Sequence, residues 1–181
     1  MQIGYIMGMV VGGLLMLSIG GLLLNMNQSS GTLTVYETAK IEHETTMEYL
    51  KNEFDLIGYR FQQEDSPHII HPNFDSTFVR FRYRPYDSDS NVEVRWAINQ
   101  VDGEDRAVLT REEDGEAEVI NHNLTTDSYF AFLNETGLEA ESPNQIQRIE
   151  LFIETMPRGQ YGDSELKTRT ETNIILSNLN L

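Results

Sequence analysis

The chain begins with a long apolar segment. Ile3 to Leu24 reads IGYIMGMVVGGLLMLSIGGLLL, which is 22 residues without a charged side chain. As a helix this segment is about 33 Å long, enough to cross the hydrocarbon core of a bilayer. Helices of soluble proteins are rarely apolar on every side over such a length. The pattern therefore predicts a helix that is inserted in a membrane or packed in an assembly. A cleavable secretory signal fits poorly, because the apolar run is too long and no basic residue precedes it.

Glycine is frequent in this predicted helix. The glycines are Gly4, Gly8, Gly12, Gly13, Gly20 and Gly21. The first three repeat every four residues and so lie on one helix face, where a second helix can approach closely. Glycine is also common in membrane helices in general. Close helix packing and ordinary membrane composition both remain open interpretations of this pattern.

A second helical pattern follows the polar stretch that begins at Asn25. Mostly apolar residues recur at steps of three and four, as on one face of an amphipathic helix. They are Tyr36, Ala39, His43, Met47, Leu50, Phe54, Ile57 and Phe61. Gly58 and the later Pro67 are expected to end this helix. The two helical segments either run together or break near Gly20–Gly21 or Ser29–Gly31. His43 is expected to be a histidine at the edge of a core.

Beyond residue 68 the pattern alternates with a period of two, as in half-buried strands. Thr77–Arg84 reads TFVRFRYR, and Val92–Asn99 reads VEVRWAIN. Further strands are predicted at Ala107–Arg111, Glu118–Asn121, Tyr129–Leu133, Ile146–Thr155 and Thr168–Leu176. The spacing favours a small, mostly antiparallel sheet covered by the amphipathic helix, which makes the fold class α+β. The helix–sheet core is expected to contain Met47, Leu50, Phe54, Ile57, Phe61 and Trp96.

Charge divides the chain into two parts. Residues 1–36 carry no charge, whereas the remainder holds all 13 basic and 29 acidic side chains, for a net charge of -16. Such acidity argues against a protein that coats nucleic acid. The absence of cysteine excludes disulfides, thiolate metal sites and cysteine nucleophiles. No Lys or Arg flanks the apolar segment closely, so the positive-inside rule does not define its orientation. We expect the acidic part to lie outside the cytoplasm.

The order and spacing of these elements resemble the type IV pilins and the pseudopilins of type II secretion, most closely the PilW- and PulJ-like minor pilins. The resemblance rests on the following runs and covers nearly all of the chain: LKNEFDLIGY (Leu50–Tyr59), VRFRY (Val79–Tyr83), VEVRWAIN, AVLTRE, VINHNLTTDSYFAFLNETG (Val119–Gly137), QRIELFIET (Gln147–Thr155) and the final SNLNL. It implies a long N-terminal helix whose first half packs in a membrane or filament core. The second half of that helix would pack on an antiparallel sheet.

The N-terminus departs from the family pattern. Prepilins carry a basic leader, a glycine cleavage site and then an apolar start with Glu at the fifth mature position. Here the fifth position is Tyr5, and no leader precedes Met1. If Met1 is the first mature residue, a leader has been removed. The acid that would pair with a neighbouring N-terminal amine is then replaced by an uncharged phenol.

Candidate chemistry is sparse in the acidic part. Asp87, Asp89 and Asn91 have the D-x-D-x-N opening of a calcium loop, but the glycine and glutamate that complete an EF-hand are missing. A looser Ca²⁺ site, here or in Asp102–Asp105 or Glu112–Glu118, is the one cofactor that the pattern leaves open, against a solvated acidic turn. His68 and His71 lack the spacing of a known metal motif, and no nucleophile elbow or phosphate-binding loop occurs. An enzyme is therefore not predicted.

Two further features have alternative interpretations. Arg80, Arg82, Arg84 and Arg95 form a basic stripe that could bind DNA, although ion pairs across strands are the favoured interpretation. Asn27, Asn123 and Asn134 begin N-x-Ser/Thr sequons, which matter only in a host that glycosylates.

These observations predict a structural subunit of an extracellular type IV pilus-like filament (a fimbrium), with cell adhesion among its expected roles. Residues 1–25 would form the membrane or filament-core helix, 26–66 the stalk and amphipathic helix, and 67–181 the acidic β-sheet domain. Assembly would depend on Gly4, Tyr5, Gly8, Gly12, Gly13, Gly20 and Gly21. The partners would be copies of itself and sister pilins, after a period in the inner membrane, with no small-molecule substrate. The alternative is a monomeric membrane-anchored binding module outside the cytoplasm, or a minor tip or pseudopilus subunit.

Overall fold

The apolar and amphipathic patterns form one uninterrupted helix. The computed structural model describes residues 2–60, 69–70, 75–87, 90–157 and 167–176, with side chains from Ile6 onward. Helix α1 runs from Gln2 to Phe54, 53 residues, which corresponds to about 80 Å. No break occurs at Gly20–Gly21 or Ser29–Gly31, so the continuous alternative is the correct one. The predicted division at residues 25 and 26 therefore falls inside α1.

Helix α1 ends earlier than the sequence predicted. Its last residue is Phe54, four residues before Gly58. Tight turns follow, in which the Leu56 N–H donates to the Glu53 backbone carbonyl and the Ile57 N–H donates to the Phe54 backbone carbonyl. Gly58 has φ of +75° and donates its N–H to the Arg82 carbonyl at 3.0 Å. Gly58 thus turns the chain onto the first strand rather than capping the helix. Ile57 is buried as predicted, but it belongs to this turn and not to the helix.

Among the described residues, seven strands follow in a single antiparallel sheet. Their bounds are β1 Phe78–Tyr83, β2 Val92–Gln100, β3 Ala107–Glu113, β4 Glu116–Leu124, β5 Tyr129–Leu133, β6 Arg148–Thr155 and β7 Thr168–Ile175. The pairing order is β1-β2-β3-β4-β6-β5, and β7, which lies off this path, also pairs with β6. A short 3-10 helix, Pro143–Gln145, lies in the connection between β5 and β6. All seven predicted strands are present, and the α+β class is confirmed.

The strand connections follow from local turn chemistry. Asp114 and Gly115 both have positive φ, 50° and 88°, and join β3 to β4 as a two-residue hairpin in which Glu113 faces Glu116. This is the geometry that Asp-Gly favours, because it matches the twist of the paired strands. The β3–β4 pairing slips twice further along. As a result both Asn121 and Leu124 are buried, although they are three residues apart.

The core lies between the second half of α1 and one face of the sheet. Met47, Leu50, Phe54, Ile57 and Trp96 are all buried there, as predicted. The centroid of the Phe54 ring lies 5.7 Å from that of Phe81 on β1 and 6.1 Å from that of Phe130 on β5. Phe54 therefore joins the helix to two strands that are distant in sequence. Phe61, the sixth predicted core residue, lies outside the described residues, as does the boundary predicted at residue 66.

We predict that Phe54→Ala lowers the free energy of unfolding by about 3–5 kcal/mol, because it leaves a cavity where helix and sheet meet. The measurement is chemical denaturation of the full chain in detergent. Ile41→Ala is the matched control on the same helix, since Ile41 is 63% exposed and its loss should change stability by about 0.5 kcal/mol or less. Equal effects of the two substitutions would contradict the packing of Phe54 between helix and sheet.

Candidate functional site

The first half of α1 presents an uncovered apolar surface on every side. We define the apolar helix surface as Ile6 to Met26, which contains fourteen large apolar side chains, each between 56% and 79% exposed. The helix is long and apolar enough to cross a membrane, with a mean hydropathy of 2.2 over the best window and no buried residue in it. Covering fourteen such side chains corresponds to roughly 20–40 kcal/mol. Water is therefore a poor environment for this surface, whereas lipid or an apolar protein surface would suit it.

Contacts among the described residues do not require the glycines of this surface. A Cβ built on Gly8, Gly12, Gly13, Gly20 or Gly21 meets no atom within 4 Å among the described residues. Each glycine in a helix costs about 0.5–1 kcal/mol relative to alanine. Any packing reason for them therefore lies outside the described residues. The side chain of Tyr5, and the surroundings of Gly4, lie outside the described residues, so the predicted role of that pair is untested.

The second half of α1 is joined to the sheet by a buried ion pair. Glu53 accepts a hydrogen bond from Trp96 Nε1 at 2.5 Å and another from Arg111 Nε at 2.6 Å. The side chains of Glu53 and Arg111 are only 7% and 12% exposed. Arg111 also pairs with Glu113 on its own strand. The Glu53 carboxylate thus links the end of α1 to β2 and β3.

Aromatic rings enclose this ion pair. The Tyr49 and Trp96 rings pack edge to face, with their centroids 5.4 Å apart. The guanidinium carbon of Arg111 lies 6.0 Å from the centroid of the Tyr49 ring. Burial alone would lower the pKa of Arg111, but the hydrogen bonds to Glu53 and Glu113 outweigh it and raise that pKa. Burial raises the pKa of the Tyr49 and Tyr83 phenols, so both rings are uncharged at neutral pH. We call Glu53, Trp96, Arg111 and Glu113 the junction cluster.

His43 joins the same helix to β6 and β7. It is 2% exposed, with Nδ1 at 3.0 Å from the Thr155 hydroxyl and Nε2 at 2.7 Å from the Thr170 hydroxyl. Burial lowers the pKa of His43, and the nearby Glu44 carboxylate opposes this only in part. The predicted core-edge histidine is confirmed, and it is neutral at pH 7.

Two amide side chains of β4 also reach α1. Asn121 Nδ2 donates to the Thr46 hydroxyl at 2.9 Å, and Thr46 in turn donates to the Glu42 carbonyl. Asn123 Nδ2 donates to the Glu42 carboxylate at 2.5 Å. Polar contacts therefore follow α1 from Glu42 to Glu53 along its buried face, beside the apolar stripe.

The predicted calcium loop is only partly described. Asp89 lies outside the described residues, and the Asn91 amide oxygen accepts a hydrogen bond from Arg84 at 3.4 Å. Within the described ranges, no group of three or more His, Asp or Glu side chains is arranged to hold a metal ion. His68 and His71 also lie outside those ranges. Ca²⁺ binding at Asp87, Asp89 and Asn91 stays a prediction.

The arginine stripe is engaged with acidic side chains. Arg80 and Arg82 both pair with Glu93, and Arg95 pairs with Glu112 at 3.5 Å across the β2–β3 ladder. Burial would raise the pKa of Glu93, but hydrogen bonds from the two arginines lower it overall. The interpretation as ion pairs across strands is confirmed for these three arginines.

Comparison with known proteins adds no relative. No protein-family model, curated protein or solved structure matches this chain.

The junction cluster was not predicted from the sequence. Trp96 was expected in the core, but the partner of its indole N–H was not identified. Glu53 lies three residues after Leu50 and next to Phe54, so helical spacing already places it beside the apolar face. A charged residue at such a position is the signal that could have pointed to a buried partner. Identifying Arg111 as that partner required the register of β2 and β3.

We predict that Glu53→Ala lowers the free energy of unfolding by about 3–5 kcal/mol, because Arg111 and the Trp96 indole lose their acceptor inside the protein. Glu48→Ala, on the exposed side of the same helix, should change it by about 0.5 kcal/mol or less. The double variant Glu53→Leu with Arg111→Met should be less destabilised than Glu53→Ala, since no unpaired cation remains. Chemical denaturation of the full chain in detergent gives all three values. A double variant as unstable as the single one would contradict the role of the ion pair.

We also predict a pH dependence that belongs to His43. Its pKa in the folded chain lies below the ordinary 6.5, so protonation favours the unfolded chain. The stabilising effect of neutral His43 is present above about pH 6.5 and is lost as the pH falls towards the folded pKa. Thermal unfolding of the full chain and of His43→Gln should therefore differ by an amount that shrinks or reverses between about pH 7.5 and 5. A difference that is constant over this range would show that His43 titrates equally in both states.

Proposed function

We propose that this chain is a pilin-like structural subunit of an extracellular filament, assembled by packing of its N-terminal apolar helices. The observation that supports this most is the division of α1. Its second half is buried against the sheet, whereas the apolar helix surface extends from the same helix with nothing covering it. A helix that needs a cover and a folded domain that holds it outward are the two parts that such a subunit requires.

The glycines favour protein as the final cover. Lipid makes no demand for small residues, whereas a neighbouring helix that approaches closely does. Five described glycines add roughly 3–5 kcal/mol of cost to this helix, and no contact within the described residues offsets it. Packing against copies or sister subunits would supply that compensation. The inner membrane would hold the helix before assembly.

The acidic sheet domain suits exposure to solvent in this arrangement. All charged residues lie after residue 36, and the surplus is 16 negative charges. Neighbouring domains would repel one another at low salt and less so at high salt. The cohesion of the filament would therefore come from the helices, which carry no charge in the packed segment.

We predict that Gly8→Leu and Gly12→Leu each abolish filaments while leaving the chain inserted and folded. A leucine at either position prevents close approach of a second helix but makes the segment more apolar. Met9→Leu replaces an exposed side chain of the same helix with one of similar size, so this variant should assemble normally. Electron microscopy of sheared surface material and the amount of chain in detergent-solubilised membranes measure the two effects.

A monomeric membrane-anchored module would respond differently. All three variants would then remain in the membrane, and the unsubstituted chain would form no filaments either. Normal filaments from both glycine variants would contradict the proposed role of these glycines. The intact mass of the chain from the same material defines its N-terminal residue.

A further inference from the structure

The chain contains three N-x-Ser/Thr sequons that the proposed assembly does not use. They begin at Asn27, Asn123 and Asn134. Such a sequon can accept a glycan only where the asparagine and the hydroxyl residue are accessible together, which usually means a surface turn. The structure places the three sequons in three different environments, so they differ in how well each could accept a glycan.

Asn134 lies in the turn between β5 and β6. Its side-chain oxygen Oδ1 accepts hydrogen bonds from Thr136 N–H at 2.9 Å, from the Thr136 hydroxyl at 2.7 Å and from Leu138 N–H at 3.1 Å. The turn is closed by Gly137, which has φ of +81° and donates its N–H to the Asn134 carbonyl. The carboxamide oxygen therefore accepts three hydrogen bonds from its own turn. Towards the rest of the described chain, the Nδ2 amide gives no hydrogen bond.

The surface beside Asn134 has room for a sugar. An open depression of about 810 Å³ is lined by Asn134 and Thr136 together with Leu138, Glu139, Gln145 and Gln147. Leu138 is 68% exposed there, although it is a large apolar residue. The carboxylate and amide groups can hydrogen-bond sugar hydroxyls, and the Leu138 side chain can pack under the apolar face of a sugar ring. The depression is thus suited to hold the first sugars of a glycan.

The other two sequons are unsuited as acceptors. Asn123 lies on β4, where its Nδ2 donates to Glu42 on α1 and its Oδ1 is buried without a hydrogen-bond partner among the described residues. A glycan there would separate the helix from the sheet. Asn27 lies inside α1, whose backbone is helical from Gln2 to Phe54. The Asn27 sequon would have to unwind the helix to form a turn.

We propose that Asn134 is the acceptor of an N-linked glycan. The proposal rests on one part of the proposed function, namely that the sheet domain lies outside the cytoplasm. The donor would be a lipid-diphosphate-linked oligosaccharide, used by a membrane-bound oligosaccharyl transferase. A bond forms between Nδ2 and the anomeric carbon of the sugar, and the bond between that carbon and the phosphate oxygen breaks. The electron pair leaves with the lipid diphosphate, and Nδ2 gives up one proton to a base of the transferase.

The test uses the full chain purified from membranes or surface material of the cells that produce it. Intact-mass spectrometry should show a mass above the 20.8 kDa chain by a whole set of sugar residues. Peptide mapping should place them on Asn134. Asn134→Asp keeps the oxygen that accepts the three hydrogen bonds but removes the amide, so it should fold and lose the added mass completely. Thr136→Ala should lose it too, whereas Thr136→Ser and Asn123→Gln, which retains a side-chain amide, should keep it.

Several results would overturn the proposal. They are an unmodified Asn134 in the native chain, a glycan on Asn123 or Asn27 in its place, an added mass that survives in Asn134→Asp, or its complete loss in Thr136→Ser. Filament formation is read separately by electron microscopy. A chain that carries the glycan at Asn134 but never assembles would contradict the proposed filament and leave this proposal standing.

Discussion

The contact between the second half of α1 and the sheet is the interaction on which the rest of this structure depends. A seven-stranded sheet with one apolar face needs a cover, and α1 is the helix that supplies it. Phe54 stands at the centre of this contact, between Phe81 on β1 and Phe130 on β5. Because α1 is continuous, the same contact also determines the direction in which the apolar helix surface leaves the folded domain.

Polar contacts along this interface define how the helix sits. Apolar side chains tolerate small shifts of a helix along a sheet, but a buried carboxylate does not, since a shift would leave it without its partners. The junction cluster at one end and His43 towards the other therefore favour a single position of α1. For the proposed filament subunit this has a consequence: a helix held rigidly by its own domain presents its glycines in a constant orientation.

Part of this arrangement follows from local sequence patterns alone. The stripe from Ala39 to Phe54 is buried at the predicted positions, and the Asp-Gly dipeptide forms the hairpin that its chemistry favours. The prediction was wrong where a tertiary contact overrides local preference. Gly58 suggested a helix end, yet the helix stops at Phe54, because the chain must turn there to hydrogen-bond with Arg82 and Arg84 of the first strand region. The inward position of Asn121 depends on slips in strand pairing that no local pattern indicates.

What the sequence determined by itself was the division of the chain into two kinds of surface. Hydrophobic period and charge are local properties, so an uncharged helix, an amphipathic helix and alternating strands could all be recognised from neighbouring residues. What only the tertiary structure decided was which distant residues meet. Glu53 and Arg111 are 58 residues apart, and His43 and Thr170 are 127 apart. Their pairing follows from strand order and register, which depend on how the whole sheet packs around one core.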